Sequence, residues 1–191
     1  MKLHVGCGKT ILPGWVNLDR VAGNGVDIGF DLEQCYQQPL PFADDSFDEF
    51  LMSHVLEHVS RPLPLMQELH RVAQPDAKLV VRIPYGSTDV AWEDPTHVRL
   101  YFLQSFGYFS QAAYGGADYG YRGDWRLTNR ILVCFERYKK FENDLNTLMT
   151  IVMRDRNVVA EMIVEARAVK PIRTPAEAHE ACPVQFAFEG E

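Results

Sequence analysis

The sequence contains no apolar run of the roughly 18 residues that a membrane-spanning helix needs, because polar or charged residues interrupt every candidate stretch. No membrane partner is therefore expected. It also has no basic excess: 19 Lys and Arg stand against 26 Asp and Glu, a formal net charge of -7. A chain held mainly through nucleic-acid phosphates usually shows a basic balance, so no nucleic-acid partner is expected. Cysteine is sparse. Cys7, Cys35, Cys134 and Cys182 form no C-x-x-C pair and no zinc-ligand spacing. Four free thiols suit a reducing compartment. No charged-then-apolar leader opens the sequence, so a cytoplasmic location is expected. Internal repeats are absent too.

What remains is the composition of a soluble globular domain. The 191 residues are 47% hydrophobic and 24% charged, enough for one domain with a full core. Leu3-His4-Val5 reads as a strand that runs into the turn Gly6-Cys7-Gly8. Trp15 to Asp19 is a second strand after the Pro13-Gly14 breaker. A third begins at Val26-Asp27-Ile28 and runs to Asp31-Leu32. Residues 33 to 46 read as loop with a helical turn, and Phe47 to Ser53 as a fourth strand. Leu65, Leu69 and Val72 recur at helical spacing, predicting a helix over Pro64 to Ala73 that Pro75 stops. Leu79 to Ile83 is a fifth strand. Later, Leu127 to Phe135 and Met162 to Ala168 read as strands around a helix over Phe141 to Met153, with Leu145, Leu148, Met149 and Val152 on one face. Strands alternating with helices or loops predict an α/β fold with a mostly parallel sheet. Residues 84–126 break the pattern with eleven aromatics. A long aperiodic segment of this kind reads as a lid or pocket wall. The tail, 171–191, reads as a surface drape.

Gly6 and Gly8 end the first strand, where the missing Cβ lets backbone or ligand approach closely. The third small position is Thr10, so the dinucleotide fingerprint G-x-G-x-x-G is not met. An acid at the end of the second strand can accept hydrogen bonds from both hydroxyls of a ribose. Asp19 stands there, and Asp31 could add a polar contact to an adenine.

The order Leu3 to Gly8, Trp15 to Asp19, Asp31-Leu32, Leu40-Pro41-Phe42-Ala43-Asp44-Asp45-Ser46-Phe47-Asp48, Ser53-His54-Val55-Leu56-Glu57-His58-Val59 and His70 to Leu79 resembles a class I S-adenosylmethionine-dependent methyltransferase. The resemblance covers residues 1 to about 83. It implies a Rossmann-like, mostly parallel seven-stranded sheet in a single domain, with S-adenosylmethionine as cofactor. On the matching positions it implies that Gly6, Cys7 and Gly8 receive the methionine part. Asp19, with Arg20 beside it, would bind the ribose; Asp31 and Leu32 would bind the adenine. Ser53 and His54 would face the methyl group. The sequence departs from the family pattern at His4, where an acid is usual. It departs again in the link from Gly8 to Trp15, which is too short for the usual first crossover. No helix precedes the first strand, so residues 84–126 are expected to supply the lid.

Two histidine patterns need weighing. His54-Val55-Leu56-Glu57-His58 matches H-x-x-E-H, a zinc-peptidase pattern that must lie within a long helix. Here it follows a strand and is cut by Pro62 and Pro64, so no metal is expected. His97 follows the fifth strand, near the crevice where open α/β sheets bind ligands. It could serve as a base toward an acceptor or simply pin its loop. Asp94 would orient it, His54 would share the catalytic role, and Tyr85, Trp92, Asp94 and Arg99 would hold substrate. Together these features predict methyl transfer to a small-molecule or sugar hydroxyl. The alternatives are a non-catalytic cofactor-binding module and, less favoured, a nicotinamide-dependent oxidoreductase.

Overall fold

A computed structural model describes residues 1–114, 118–175 and 181–190. Eight strands form one sheet: β1 (Lys2–Val5), β2 (Val16–Asp19), β3 (Ile28–Gly29), β4 (Phe47–Ser53), β5 (Ala73–Pro84), β6 (Trp125–Phe135), β7 (Val159–Ala168) and β8 (Val184–Glu189). Their order is β3-β2-β1-β4-β5-β7-β6-β8. The run β3-β2-β1-β4-β5 is parallel. β7 runs antiparallel to both β5 and β6. The order reverses direction at β1, where β2 lies on one side and β4 on the other, so a crevice opens outside the C-terminal ends of these strands.

The sheet has one strand more than expected. β8 comes from the tail and pairs in parallel with β6, from Arg130 opposite Val184 to Phe135 opposite Glu189. The tail is therefore a strand of the sheet rather than a drape. Its weak period hid that role, because an edge strand buries little of either face. Residues 176–180 of the tail lie outside the described residues.

The first crossover contains no helix. The side chain of Asn17 on β2 holds the short link in place of one. Its Oδ1 accepts from Leu12 N at 3.0 Å, and its Nδ2 donates to Leu12 O at 3.2 Å and Trp15 O at 3.1 Å. His4 lies buried beneath, with Nδ1 3.4 Å from the same Oδ1. The histidine that departs from the family pattern thus belongs to the device that shortens the link.

Helix α1 (Pro62–Val72) starts on a proline, whose fixed φ and missing N–H suit a first turn. It buries Leu65, Met66, Leu69 and Val72. Its Arg71 clasps the preceding loop, donating to Leu40 O, Phe42 O and the carboxylates of Glu68 and Asp44. The 40–48 block is therefore held from α1. Helix α2 (Val90–Glu93) is a single turn. Helix α3 (Leu145–Arg154) is capped by Asp144, which accepts from Thr147 N, and it buries Leu148 and Val152. Leu145 stands half exposed, so the apolar face is narrower than its spacing predicts. The third strand is also shorter than expected, because Asp31 leaves the sheet to cap a 3-10 turn over Leu32–Tyr36. No helix among the described residues is long and apolar enough to cross a membrane.

The aromatic segment is largely core. Tyr85, Tyr101, Phe106, Phe109, Tyr114 and Tyr121 are buried in the main hydrophobic cluster. Tyr101–Phe106 at 5.6 Å and Phe106–Phe109 at 5.5 Å meet tilted or edge-on, while Tyr114 and Tyr121 stack at 5.7 Å. Much of residues 84–126 therefore serves as core.

Candidate functional site

An open cleft of about 480 Å³ lies at the C-terminal ends of β1, β2 and β4, lined by Gly6, Gly8, Asp19, Arg20, Asp31, Leu32, His54 and His58, among others. That volume suits a small-molecule pocket. Seven of the expected cofactor residues therefore share one surface. Cys7 and Ser53 do not line it. Cys7 is buried, its amide donates to Leu18 O at 3.0 Å, and burial raises its thiol pKa.

Gly6 has φ +65, and a Cβ there would meet Val55 Cγ2 at 2.5 Å. Gly8 has φ +52 with open space where its Cβ would stand. Only glycine adopts both conformations without strain. Asp19 fixes the turn from β2: Oδ2 accepts from Gly8 N at 2.8 Å and Oδ1 from Val21 N at 3.0 Å. Each oxygen keeps a further lone pair for a ligand. Asp31 Oδ1 accepts from Glu33 N at 3.1 Å.

His54 directly follows β4 with φ +54, an uncommon conformation for a side chain with a Cβ. Its Nε2 lies 2.9 Å from Glu161 Oε2 and its Nδ1 lies 3.4 Å from Glu57 Oε1. Arg82 holds Glu161 from the other side at 2.7 Å. The Glu161 and Glu57 carboxylates raise the His54 pKa to about 9, so its ring is cationic at neutral pH. Glu161 itself stays ionised despite burial, because His54 and Arg82 both donate to it.

The remaining expectations are divided by the structure. His97 is mostly buried, and its Nδ1 donates to Ala91 O at 3.1 Å. Its ring meets the His58 ring edge-on at 4.7 Å. Asp94 stands 3.8 Å from His97 Nε2, too far for a hydrogen bond, so Ala91 rather than Asp94 orients the ring. Asp94 instead caps Thr96. Tyr85, Trp92, Asp94 and Arg99 do not share one surface. Tyr85 lines a separate cavity next to α3. Trp92 is exposed, with Nε1 donating to Gly86 O. Arg99 donates to Ser60 O and lines a third space.

That third space is a cavity of about 870 Å³ beside the cleft, lined by Arg61, Leu63, Val98, Arg99, Tyr108 and Tyr119, among others. Segments 58–61 and 96–99 contribute to both walls. Sequence reasoning missed Glu33, Val55, His58, Val59 and Thr96 as cleft residues, although the H-x-x-E-H and Asp94-Pro95-Thr96-His97 patterns marked the neighbourhoods of the last four. The H-x-x-E-H pattern itself is not helical: a 3-10 turn covers only Leu56–His58. Glu161 carried no sequence signal, since it reaches His54 across 107 residues.

Residues 3–81 match the family model described as a methyltransferase domain. The ubiquinone/menaquinone biosynthesis C-methyltransferase UbiE of Xanthomonas oryzae pv. oryzae is 31% identical over 91 residues, 48% of this chain and 34% of that protein. The chain thus spans about a third of the length of that curated relative. Among solved structures, an S-adenosylmethionine-dependent methyltransferase from Archaeoglobus fulgidus superposes with a TM-score of 0.57 at 15% identity, covering 87% of this chain and 85% of that one. The cyclase SpnF superposes with a TM-score of 0.54 at 17% identity, covering 90% and 74%. At these identities the structural matches establish the fold. With the family match over β1 to β5 and the glycine turn, Asp19 and Asp31 on one cleft, the chain has the fold of the class I S-adenosylmethionine-dependent methyltransferases and is similar to them over its first five strands.

Proposed function

We propose that this chain binds S-adenosylmethionine in the cleft at β1, β2 and β4 and transfers its methyl group to a hydroxyl on a small molecule held in the adjoining 870 Å³ cavity. The observation that carries this reading is the convergence of Gly6, Gly8, Asp19, Arg20, Asp31, Leu32 and His54 on one surface at the sheet's switch point. In this reading Gly6 and Gly8 admit the methionine part, Asp19 accepts from the ribose hydroxyls, and Asp31 and Leu32 bound the adenine.

The reaction asks little of side chains. The sulfonium is a good leaving group, so alignment of acceptor and methyl supplies most of the acceleration. The acceptor oxygen attacks the methyl carbon, the carbon–sulfur bond breaks, and its electron pair returns to sulfur. The hydroxyl proton leaves to water or a nearby base. His54 is a poor base while Glu161 and Glu57 keep it protonated, and His97 does not line the cleft, its Nδ1 donating to Ala91 O. The Leu63, Val98, Tyr108 and Tyr119 walls favour an acceptor with an apolar or ring body, and Arg61 and Arg99 favour an anionic edge on it. The C-methylation in the Xanthomonas relative's name is left with that protein, because the family match at 3–81 ends before the cavity's aromatic wall begins.

A transfer assay with methyl-labelled S-adenosylmethionine against a panel of hydroxylated ring compounds tests the reading. Label in an O-methyl product, lost in Asp19→Ala, supports it. If the cofactor product binds but no compound accepts label, the chain is a non-catalytic binding module.

A further inference from the structure

Among the described residues, one group of three metal-ligating side chains converges: Glu57, His58 and His97, each offering a ligand atom within 4.8 Å of the others. Glu57 comes from the 3-10 turn after β4, and His97 from the loop after α2. The amides of Val98 and Arg99 both donate to Glu57 O, at 2.9 and 3.2 Å, and pin the loop there.

Two features of this cluster point to a ligand. The first is the Glu57 carboxylate, which is 2% exposed and accepts no hydrogen bond at either oxygen. The 3.4 Å approach of His54 Nδ1 to Oε1 lacks hydrogen-bond geometry. The cationic His54 ring thus offers charge from one side only, and neither carboxylate oxygen has the hydrogen-bond partner that a buried acid needs. The second feature is the tautomer of each histidine. Thr96 Oγ1 donates to Asp94 Oδ1 at 2.6 Å, so it can only accept from His58 Nδ1, 2.9 Å away. The Thr96 carbonyl, 3.2 Å from the same Nδ1, also accepts. His97 Nδ1 likewise faces only a carbonyl, that of Ala91. Both rings therefore carry their proton on Nδ1, and in the neutral ring Nε2 keeps a lone pair. A metal-bound histidine shows this arrangement, its far nitrogen donating to a carbonyl or hydroxyl that fixes the ring.

We propose that Glu57, His58 and His97 bind one divalent transition-metal ion of the zinc class in the wall of the cofactor cleft. Two imidazoles and one carboxylate are a sufficient protein donor set when a fourth position is left to water or substrate. His58 and Thr96 line the cleft, so that fourth position opens toward it. Asp94 Oδ2, 3.8 Å from His97 Nε2, lies close enough to become a further ligand after a small rotation. Donor atoms around a single zinc stand about 3 to 3.5 Å apart, so binding draws the three groups together by roughly an ångström. The site does not depend on the reaction proposed above.

Cobalt(II) titration of the chelator-treated protein tests the site, because cobalt(II) adopts zinc geometry and absorbs visibly. One cobalt per chain is expected, with ligand-field bands of four or five coordination and displacement by one equivalent of zinc. His58→Ala and His97→Ala should each weaken binding by at least about tenfold. Zinc should raise the melting temperature of the wild type and leave that of Glu57→Gln unchanged, a readout that needs no activity. Absence of stoichiometric cobalt would overturn the proposal. So would unchanged affinity in folded His58 and His97 variants, or thiolate charge-transfer bands that place the metal on cysteine.

Discussion

Gly6 and His70 show how single positions carry the account. At Gly6 two constraints coincide, a left-handed φ and a Val55 side chain where a Cβ would go. Gly6→Ala should therefore cost more than about 1 kcal/mol of stability, read from urea denaturation, and should also weaken cofactor binding by disturbing the turn. A Gly8→Ala variant, strained but unobstructed, should lose less stability. His70 is buried in α1 with its Nε2 donating to Val169 O at 3.0 Å and its ring edge-on to Trp125. Burial lowers its pKa below the ordinary 6.5. The unfolded chain then binds this proton more readily than the folded one, so the contribution is present above 6.5 and fades as pH falls toward the lowered value. Between about pH 7.5 and about pH 5.5 the wild type should lose more stability than His70→Gln. Equal losses would show that His70 does not titrate differently on folding. The cleft positions of Asp19, Asp31 and the glycine pair were legible in the sequence because each stands at, or within three residues of, a strand end that the local pattern marks. Glu161 was not, because only the antiparallel pairing of β7 with β5 brings it beside Arg82 and His54.

Elements were legible where one period dominated. α1 and β4 match their sequence patterns within two residues, since each buries a regular apolar face. The tail misled because its strand is short, edge-placed and only partly buried. Its attachment begins at Arg173, whose guanidinium meets both oxygens of the fully buried Asp124 at 2.7 Å. Asp124 also accepts from Gln111 N, so one carboxylate ties the tail to the aromatic segment. These donors keep the Asp124 pKa below its ordinary value despite burial. Asp124→Asn should destabilise the fold by about 3 to 5 kcal/mol, the range for breaking a buried charge pair. Thermal unfolding with limited proteolysis checks this, and the tail should be cut first. The aromatic segment was legible in part. Without helical or strand period, its rings read as a pocket wall, and Tyr101, Tyr108, Phe109, Tyr114 and Tyr119 do line the 870 Å³ cavity, while most of the segment's rings also fill the core.

At the scale of the whole molecule, the chain keeps the family's sheet while shortening what joins it. Asn17 and His4 hold the helix-free first crossover, Arg71 gathers the 40–44 loop, and buried aromatics fill the segment between β5 and β6. The economy leaves the C-terminal ends of β1, β2 and β4 open, and the cleft forms there. Cofactor binding in that cleft is the central claim. Isothermal titration with S-adenosylhomocysteine tests it most directly, with wild type and Asp19→Ala side by side. One molecule should bind per chain, and the variant should bind about 10- to 100-fold more weakly, as expected for losing hydrogen bonds to a charged group. No binding to the wild type, or equal affinity in a folded Asp19→Ala, would contradict it.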